Sequence, residues 1–185
     1  RWRNRLVSKL LIRRSLRAAH HIATLSETTR TDLIASMPEV AASTTTILPG
    51  VPGKTSGSVS KDFAEGLPAE FLFSLGSVEP RKNIDGLLRC FYELAAIRPA
   101  LHLLIAGADR WGAGPSAMPV EPMIAPRVRW LGRLADPEVT HCFDRCRAFV
   151  MPSHYEGFGL PILEAAGRCP VVLSEIPVFA EASAY

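Results

Sequence analysis

Two glutamates separated by seven residues, Glu156 and Glu164, are the side chains of this sequence best arranged to do chemistry. Glycines 157 and 159 lie between them, and glycine lets a backbone turn tightly and approach a ligand closely. An apolar strand pattern precedes the pair, and a helical pattern begins near Gly159. The free amides of a first helical turn, together with the helix dipole, attract anions. The stretch therefore predicts a phosphate-binding turn with a carboxylate on each side.

The two carboxylates need a partner other than the phosphate, because like charges repel. An ionised glutamate only accepts hydrogen bonds, so its natural partners here are neutral hydroxyls such as those of a ribose or a hexose. Glu156 precedes the predicted helix, and Glu164 lies about one and a half turns into it. The pair can bracket a diphosphate whose two ends carry hydroxyls, which is the shape of a nucleotide sugar. The alternative is a plain strand-to-helix turn with two surface glutamates.

A second cluster follows an earlier strand, in the segment GSVEPRKN at residues 76–83. Arg81 and Lys82 stand just before a predicted helix, where two cations beside free amides would complement a diphosphate. Solvated basic residues in a loop are the alternative. The first motif favours the diphosphate, since both clusters follow strands of one sheet.

Strand and helix patterns alternate from residue 70 onward, which predicts an α/β fold with a Rossmann-like parallel sheet and helices on both faces. Ligands bind at the carboxyl ends of the strands in such sheets. Before this alternation the sequence predicts a helix, a short strand, a helix capped by Ser26 and a second strand; 52–66 is expected to be a loop. The predicted strands are 70–76, 101–107, 127–133, 148–153 and 170–174, and the predicted helices are 83–97, 136–146 and 159–167.

Composition is that of an ordinary globular protein, with 48% hydrophobic and 21% charged residues among 185. The net charge of +3 is uneven, because residues 1–17 hold seven basic residues and no acid, which leaves 3 − 7 = −4 for the rest. That helix could touch an anionic membrane or could pack its leucines on a neighbour. Basic and aromatic residues do not alternate as in nucleic-acid-binding proteins, so no nucleic-acid partner is expected.

The four cysteines lie in apolar helix and strand patterns, which favours buried free thiols in a reducing compartment. Cys142 and Cys146 are one helical turn apart beside His141, so the alternatives are a metal site and core thiols on one helix face. No second ligand pair and no Asp-x-Asp motif exists, and no metal or other cofactor is expected.

The segments SLGSVEPRKNI and PSHYEGFGLPILEAAGRCPVVLSEIPVFAE resemble the C-terminal domain of retaining glycosyltransferases of family 4, which have the GT-B fold. Glu156 and Glu164 match that family's signature of two glutamates separated by seven residues. The likeness extends over most of residues 18–182 and is not specific for one substrate. It implies transfer of a hexose from a nucleotide diphosphate sugar, GDP-mannose-like or a UDP-sugar, to an unknown glycan or lipid-linked acceptor.

The resemblance also implies roles for individual residues. Arg81 and Lys82 would hold the diphosphate and steady the leaving group, Glu156 would contact the hexose, and Glu164 the ribose. Leu131 and Gly132 would lie near the base. Many family members carry an arginine where this chain has Ser77, so one phosphate contact is absent or supplied otherwise. Main-chain amides would hold phosphate and position the sugar around Gly157, Phe158, Gly159 and Leu160.

The GT-B fold has two domains, and the resemblance covers only one. We therefore expect residues 1–18 to be the final helix of a preceding domain or an interdomain segment, and 19–185 a truncated nucleotide-sugar-binding domain that is inactive alone. A sugar-nucleotide epimerase of similar fold and a non-catalytic binding module are the alternatives. A cytoplasmic location is expected, with peripheral contact at the inner membrane face left open by the basic helix.

Overall fold

The structure is a computed structural model that describes residues 2–50, 57–108 and 122–184, with side chains from residue 9 onward. A short N-terminal section precedes the main sheet. Its strands pair in parallel, with Ile22 opposite Thr44. The elements of this section are α1 (Trp2–Ala18), β1 (Ile22–Thr24), α2 (Glu27–Ser36), a 3-10 helix (Pro38–Ser43) and β2 (Thr44–Thr46).

Helix α1 packs on this section through its C-terminal half. Leu16 contacts a small cluster around Met37, and Arg17 pairs with Glu39 at 2.8 Å. Residues 10–12 of the same helix, Leu-Leu-Ile, are more than half exposed. The prediction that its leucines pack on a neighbour therefore holds for Leu16 and not for the exposed residues. None of the helices in the described ranges is long and apolar enough to cross a membrane.

The main sheet has five parallel strands in the order β5-β4-β3-β6-β7, which confirms the predicted α/β architecture. The chain winds outward from β3 through β4 to β5, and then returns to place β6 on the other side of β3. The strands are β3 (Phe71–Leu75), β4 (His102–Ala106), β5 (Val128–Gly132), β6 (Ala148–Met151) and β7 (Val171–Leu173).

Helices cover both faces of this sheet, because side chains alternate along each strand. Leu103 and Ile105 point to the face covered by α4, whereas Leu104 and Ala106 point to the face covered by α5, α6 and α7. Five helices accompany the sheet in the described ranges: α3 (Lys61–Glu65), α4 (Ile84–Ile97), α5 (Asp136–Arg145), α6 (Leu160–Ala165) and α7 (Pro177–Ser183).

An aromatic cluster fixes α5 against the central strands. The ring of Phe143 meets those of Phe73 and Phe149 edge to face, with centroids 5.4 and 5.1 Å apart. All three side chains are fully buried. Aromatic pairs in this arrangement add about 0.5–1.5 kcal/mol beyond the area they bury. The cluster packs α5 on β3 and β6, the paired strands from which the candidate site is built.

Several predicted boundaries are wrong. Residues 61–65, expected to be loop, form α3 because the Ser60 side chain caps its first turn by accepting from the amide of Phe63. Residues 177–183 form α7, which the sequence analysis did not predict although Pro177 stands at its first position. Residues 52–56 of the predicted loop lie outside the described residues, as do 109–121 of the segment 108–122, which the sequence also predicts to be a loop.

The cysteine prediction is correct in part. All four cysteines are free, and Cys142 and Cys146 are buried on α5, where burial raises the thiol pKa of both. Cys90 is exposed, contrary to prediction, because it lies on the outer side of α4. Within the described ranges, no three His, Cys, Asp or Glu side chains are gathered as a metal site. That no metal is needed stays a prediction.

Candidate functional site

The candidate site lies where β3 and β6 end, at the point where the strand order reverses. A crevice forms there because the chains leaving the two strands depart to opposite faces of the sheet. The strand ends are close-packed glycines: the amide of Gly76 donates to Ala106 at 2.8 Å, and that of Gly107 to Gly132 at 2.7 Å. A side chain at Gly107 would overlap the carbonyl of Gly76. The edge therefore presents backbone and the polar groups that follow it.

Glu156 is the centre of the site and is buried. Its Oε1 accepts from Nζ of Lys82 at 2.6 Å and from the hydroxyl of Ser153 at 2.8 Å. Its Oε2 accepts from Nη1 of Arg81 at 2.7 Å. Both oxygens are thus charge-compensated, as a buried carboxylate requires. The structure brings together the three residues predicted to be catalytic.

Lys82 reaches Glu156 from a short 3-10 helix, Pro80–Lys82, that follows β3. Its side chain is nearly buried and crosses directly above Gly76. A Cβ on Gly76 would lie 3.0 Å from Cε and 3.1 Å from Nζ of Lys82, and the φ of Gly76 is +153°. Glycine is required here both by the backbone conformation and by the path of the lysine.

Arg81 spans the crevice between the two loops. Nη1 reaches Glu156 and, at 3.3 Å, the carbonyl of Tyr155, while Nε donates to Glu79 at 2.9 Å. Although burial opposes its charge, hydrogen bonds and the charges of Glu156 and Glu79 raise the pKa of Arg81. Its side chain keeps 40% of its surface exposed, so a ligand in the crevice can reach it.

Asn83 ties the two loops together. It adopts the left-handed conformation, with φ of 54°, and its Oδ1 caps α4 by accepting from the amide of Gly86 at 3.3 Å. Its Nδ2 donates to the carbonyl of Pro152 at 3.1 Å, and the amide of His154 donates to the carbonyl of Arg81 at 2.8 Å. These bonds fix the cations relative to the carboxylate.

The glycine-containing turn follows Glu156 directly, as predicted. Phe158 is buried in the core, and Gly159 has φ of +100° and packs against Ile162 and Phe179. Leu160 begins α6, which has six residues and is shorter than the helix predicted over 159–167. That the amides of this turn bind phosphate stays a prediction.

Helix α2 holds this turn from outside. The carbonyl of Gly157 lies 2.7 Å from the hydroxyl of Ser26 and 3.0 Å from that of Thr29, and both hydroxyls can donate to it. Glu181 of α7 in turn accepts from the amides of residues 27 and 28, at 2.6 and 3.1 Å. Helices α2 and α7 thus meet at the turn.

Glu164 lies apart from the cations. It is half-buried on α6, and no described cation is paired with its carboxylate. Burial, and then the charge of Asp136 at the start of α5, raises the pKa of Glu164. Asp136 follows β5, so the carboxylate of Glu164 lies near the start of the helix that leaves that strand. An uncompensated carboxylate held in this way is typical of a ligand-binding position.

Leu131 and Gly132 end β5, two strands away from Arg81. Gly132 has φ of +65°, and Leu131 lines a groove of about 410 Å³ together with Trp130, Leu134 and Phe63. The sheet thus places these two residues, Glu164 and the cation cluster along one edge. The structure does not bring Glu164 into contact with the cluster.

Three residues of the site were not predicted: Glu79, Ser153 and Asn83. Ser153 is three positions before Glu156, and its buried hydroxyl donates a hydrogen bond to the carboxylate. Asn83 carried a signal, because asparagine tolerates the left-handed conformation and caps helices. No sequence signal indicated Glu79, because its part in the site depends on the direction in which the Arg81 side chain points.

Comparisons with known proteins support the resemblance at the level of a broader glycosyltransferase group and do not test membership of family 4. Residues 59–184 match the profile of the family described as glycosyl transferases group 1. The O-antigen chain mannosyltransferase B of Escherichia coli is 39% identical over 106 residues, which cover 55% of this chain and 28% of that protein. The O-antigen chain mannosyltransferase RfbU of Salmonella typhimurium is 28% identical over 177 residues, which cover 94% of this chain and 47% of that protein. The chain spans about half of RfbU and less of mannosyltransferase B.

Solved structures share the fold at low sequence identity. Anabaena Alr3699/HepE in complex with UDP and glucose aligns with a TM-score of 0.70 at 22% identity, over 88% of this chain and 46% of that one. WaaG, a glycosyltransferase involved in lipopolysaccharide biosynthesis, aligns with a TM-score of 0.70 at 16% identity, over 88% and 46%. The fold is that of one domain of a two-domain GT-B glycosyltransferase. The family profile matches well over half of the residues, and the chain belongs to the glycosyl transferases group 1.

Proposed function

We propose that the complete protein transfers a hexose from a nucleotide diphosphate sugar to a glycan or lipid-linked acceptor with retention of configuration, as family 4 enzymes do. This chain would supply the donor-binding half. The observation that carries the proposal is the cluster of Arg81, Lys82 and Glu156 at the strand-order reversal. It offers two cations to a diphosphate and one carboxylate to sugar hydroxyls, in direct contact with each other.

The cluster suggests how donor binding proceeds. Each cation is paired with Glu156, and with Glu79 included the four charges sum to zero. A diphosphate that draws Arg81 and Lys82 toward itself leaves Glu156 short of partners. The hydroxyls of the hexose then replace them, since a buried carboxylate must keep its hydrogen bonds. The diphosphate and the sugar are thus recognised by one exchange of partners.

The same cations serve the chemistry. Glycosyl transfer passes through an oxocarbenium-like transition state in which negative charge builds on the departing phosphate. Lys82 is held by its burial and Arg81 by Glu79, so both are oriented before the reaction and stabilise that charge without rearranging. Glu156, beside the hexose, would orient its ring. No metal is needed if the two cations fulfil this role.

The remaining donor contacts follow the edge of the sheet. The ribose would lie at Glu164, whose carboxylate is paired with no described cation, and the base near Leu131 and Gly132. The relatives named mannosyltransferases favour a GDP-mannose-like donor, whereas the HepE complex with UDP and glucose favours a UDP-sugar. Both nucleotides therefore belong in the test.

The deciding experiment is calorimetric titration of the complete protein with UDP, GDP and ADP and with the corresponding glucose and mannose donors. We expect one nucleotide series to bind, and the nucleotide sugar to bind more tightly than the nucleoside diphosphate, because only the sugar satisfies Glu156. Glu156→Gln should lose that preference for the sugar. Glu65→Gln, an exposed glutamate on α3, is the matched control and should retain it. Absence of binding to every nucleotide and donor would refute the proposal.

Retention is tested separately. Product formed by the complete protein from an α-linked donor should have the α configuration in its NMR spectrum, and a β product would refute retention while leaving donor binding intact. Two further expectations stay proposals: a cytoplasmic location, and contact of the basic segment 1–17 with an anionic membrane. Two of its cations are engaged within the chain, since Arg13 donates to the carbonyl of Ser36 and Arg17 to Glu39.

A further inference from the structure

Glu79 is an unexpected residue beside a diphosphate site. It is a carboxylate, only 16% exposed, that follows β3 within the segment carrying both cations. A negative charge here repels the ligand that the cations attract. The hydroxyl of Ser77 donates to one of its oxygens, and Nε of Arg81 to the other at 2.9 Å. Its contacts run to Arg81 and not into the crevice.

The segment around Glu79 is itself fixed. The amide of Val78 donates to the carbonyl of Ala108 at 3.2 Å, so the chain continues beside β4 past the end of β3. Pro80 then fixes the backbone, and the amide of Lys82 donates to the carbonyl of Glu79 at 2.9 Å. The carboxylate is therefore a rigid anchor on the sheet edge, whereas Arg81 has a long side chain with many rotamers.

The guanidinium of Arg81 is held on two sides. Glu79 accepts hydrogen bonds from Nε and, at a longer 3.5 Å, from Nη2 of Arg81, while Glu156 accepts from Nη1 at 2.7 Å. A planar guanidinium gripped through its Nε keeps its remaining N–H groups in a defined direction. When the diphosphate draws Nη1 away from Glu156, the bond to Glu79 remains.

We propose that Glu79 is a positioning residue for donor binding: supported by Ser77, it aims the Arg81 guanidinium at the donor diphosphate without touching the donor. This inference rests on the proposed function. Ser77 stands where the family resemblance implies an arginine, and here its hydroxyl supports the carboxylate that orients a different arginine. The low pKa of Glu79, caused first by the Ser77 hydrogen bond and then by Arg81, keeps it ionised for this task.

The test is a double-mutant cycle on the complete protein, with UDP and GDP as probes in calorimetry. Glu79→Ala should weaken binding about tenfold, the worth of a charged hydrogen bond. In the Arg81→Ala background the same change should have no further weakening effect, because there is nothing left to position. A merely structural role would weaken binding equally in both backgrounds, and that result would overturn the assignment.

Two conservative variants test the same proposal if Glu79→Ala folds poorly. Glu79→Gln retains an oxygen for Nε of Arg81 and removes the repelling charge, so its affinity should stay within about threefold of the wild type. Arg81→Lys retains the charge and cannot span two carboxylates, so it should bind as weakly as Arg81→Ala. Wild-type affinity in Arg81→Lys would overturn the proposal.

The failure of the two proposals is distinguishable. If the unmodified protein binds neither nucleoside diphosphates nor nucleotide sugars, the donor-binding function falls and the role of Glu79 with it. If the unmodified protein binds one of the probes and the cycle is additive, only the role of Glu79 falls.

Discussion

The ammonium group of Lys82 lies 2.6 Å from Oε1 of Glu156, and the two side chains are only 10% and 8% exposed. Burying such a pair costs desolvation energy that its attraction barely recovers, so apolar residues would stabilise the fold as well. Removing one partner is costly, because the other is then left charged and buried. The proposed donor binding would give such a pair a role beyond stability.

Lys82→Met tests that energetic description. Glu156 would keep Arg81 and Ser153 but lose the cation on Oε1, and we expect local stability around β3 and β6 to fall by about 3 kcal/mol. Hydrogen exchange of the amides of these strands measures the change. Lys61→Met is the control, because the pair of Lys61 with Glu65 is exposed and should contribute under 1 kcal/mol, as is typical of exposed pairs. Unchanged protection in Lys82→Met would contradict the prediction.

Gly76→Ala should displace Lys82 without removing it. The new Cβ would lie 3.0 Å from Cε of the lysine, and alanine is strained at φ of +153°. We expect a loss of stability of about 1–3 kcal/mol from the backbone strain and about tenfold weaker binding of the preferred nucleoside diphosphate. Gly50→Ala, where nothing lies within 4 Å of the added Cβ, should leave both properties unchanged. Equal affinities in the two variants would show that the lysine path does not matter.

Asn83 allows its side chain and its backbone to be tested separately. Asn83→Gly removes the bonds to Gly86 and Pro152 yet suits the left-handed conformation, whereas Asn83→Ala removes the bonds and adds strain. Thermal unfolding should show both variants destabilised, the alanine by about 1 kcal/mol more than the glycine. Both should weaken donor binding to a similar degree, because the link between the loops is lost in each. Normal donor binding by Asn83→Gly would show that the side-chain hydrogen bonds of Asn83 are not needed to position the site.

Glu164→Gln should make the protein more stable and a poorer binder. Burial and the charge of Asp136 raise the pKa of Glu164 above its unfolded value, so the folded state takes up its proton more readily. Stability therefore falls as the pH rises through the interval between the two pKa values, and the ionised group is unfavourable at neutral pH. We expect the variant to gain on the order of 0.5 kcal/mol at pH 7.

Thermal unfolding at several pH values checks this sign. The gain of Glu164→Gln over the wild type should shrink as the pH is lowered through the raised pKa of Glu164, because the wild-type carboxyl then takes up its proton. Nucleotide affinity should fall about three- to tenfold through the ribose contact. A variant that is both less stable and unchanged in affinity would show that Glu164 is an ordinary structural residue.

Much of the sheet was predictable because its strands are apolar runs separated by helical patterns. The five strands of the main sheet agree with prediction to within one or two residues at each end, and Ser26 caps α2 as expected. Two short helices were not predicted. Helices α3 and α7 have five and seven residues, too few for an apolar periodicity to emerge, and their existence depends on caps and on packing against the sheet.

The site was predictable to the level of residue types and not of contacts. Arg81, Lys82 and Glu156 were singled out because each follows a strand, and parallel strands bring their ends to one edge. The pairing itself was not foreseen: Glu156 was expected to contact hydroxyls, yet its carboxylate binds both cations. No local pattern reveals that β3 and β6 are neighbours, since the strand order is decided by the packing of the whole sheet.

That strand order has a consequence for how the protein is made. Arg81 and Glu156 are separated by 75 positions along the chain, and Ser26 and Gly157 by 131. Contacts of such long range form late in folding, because the loops they close must be ordered first. At a synthesis rate of about 5–20 residues per second, Glu156 is translated about 4–15 s after Arg81 and Lys82. The Lys82–Glu156 pair can therefore form only after both β3 and β6 have been synthesised.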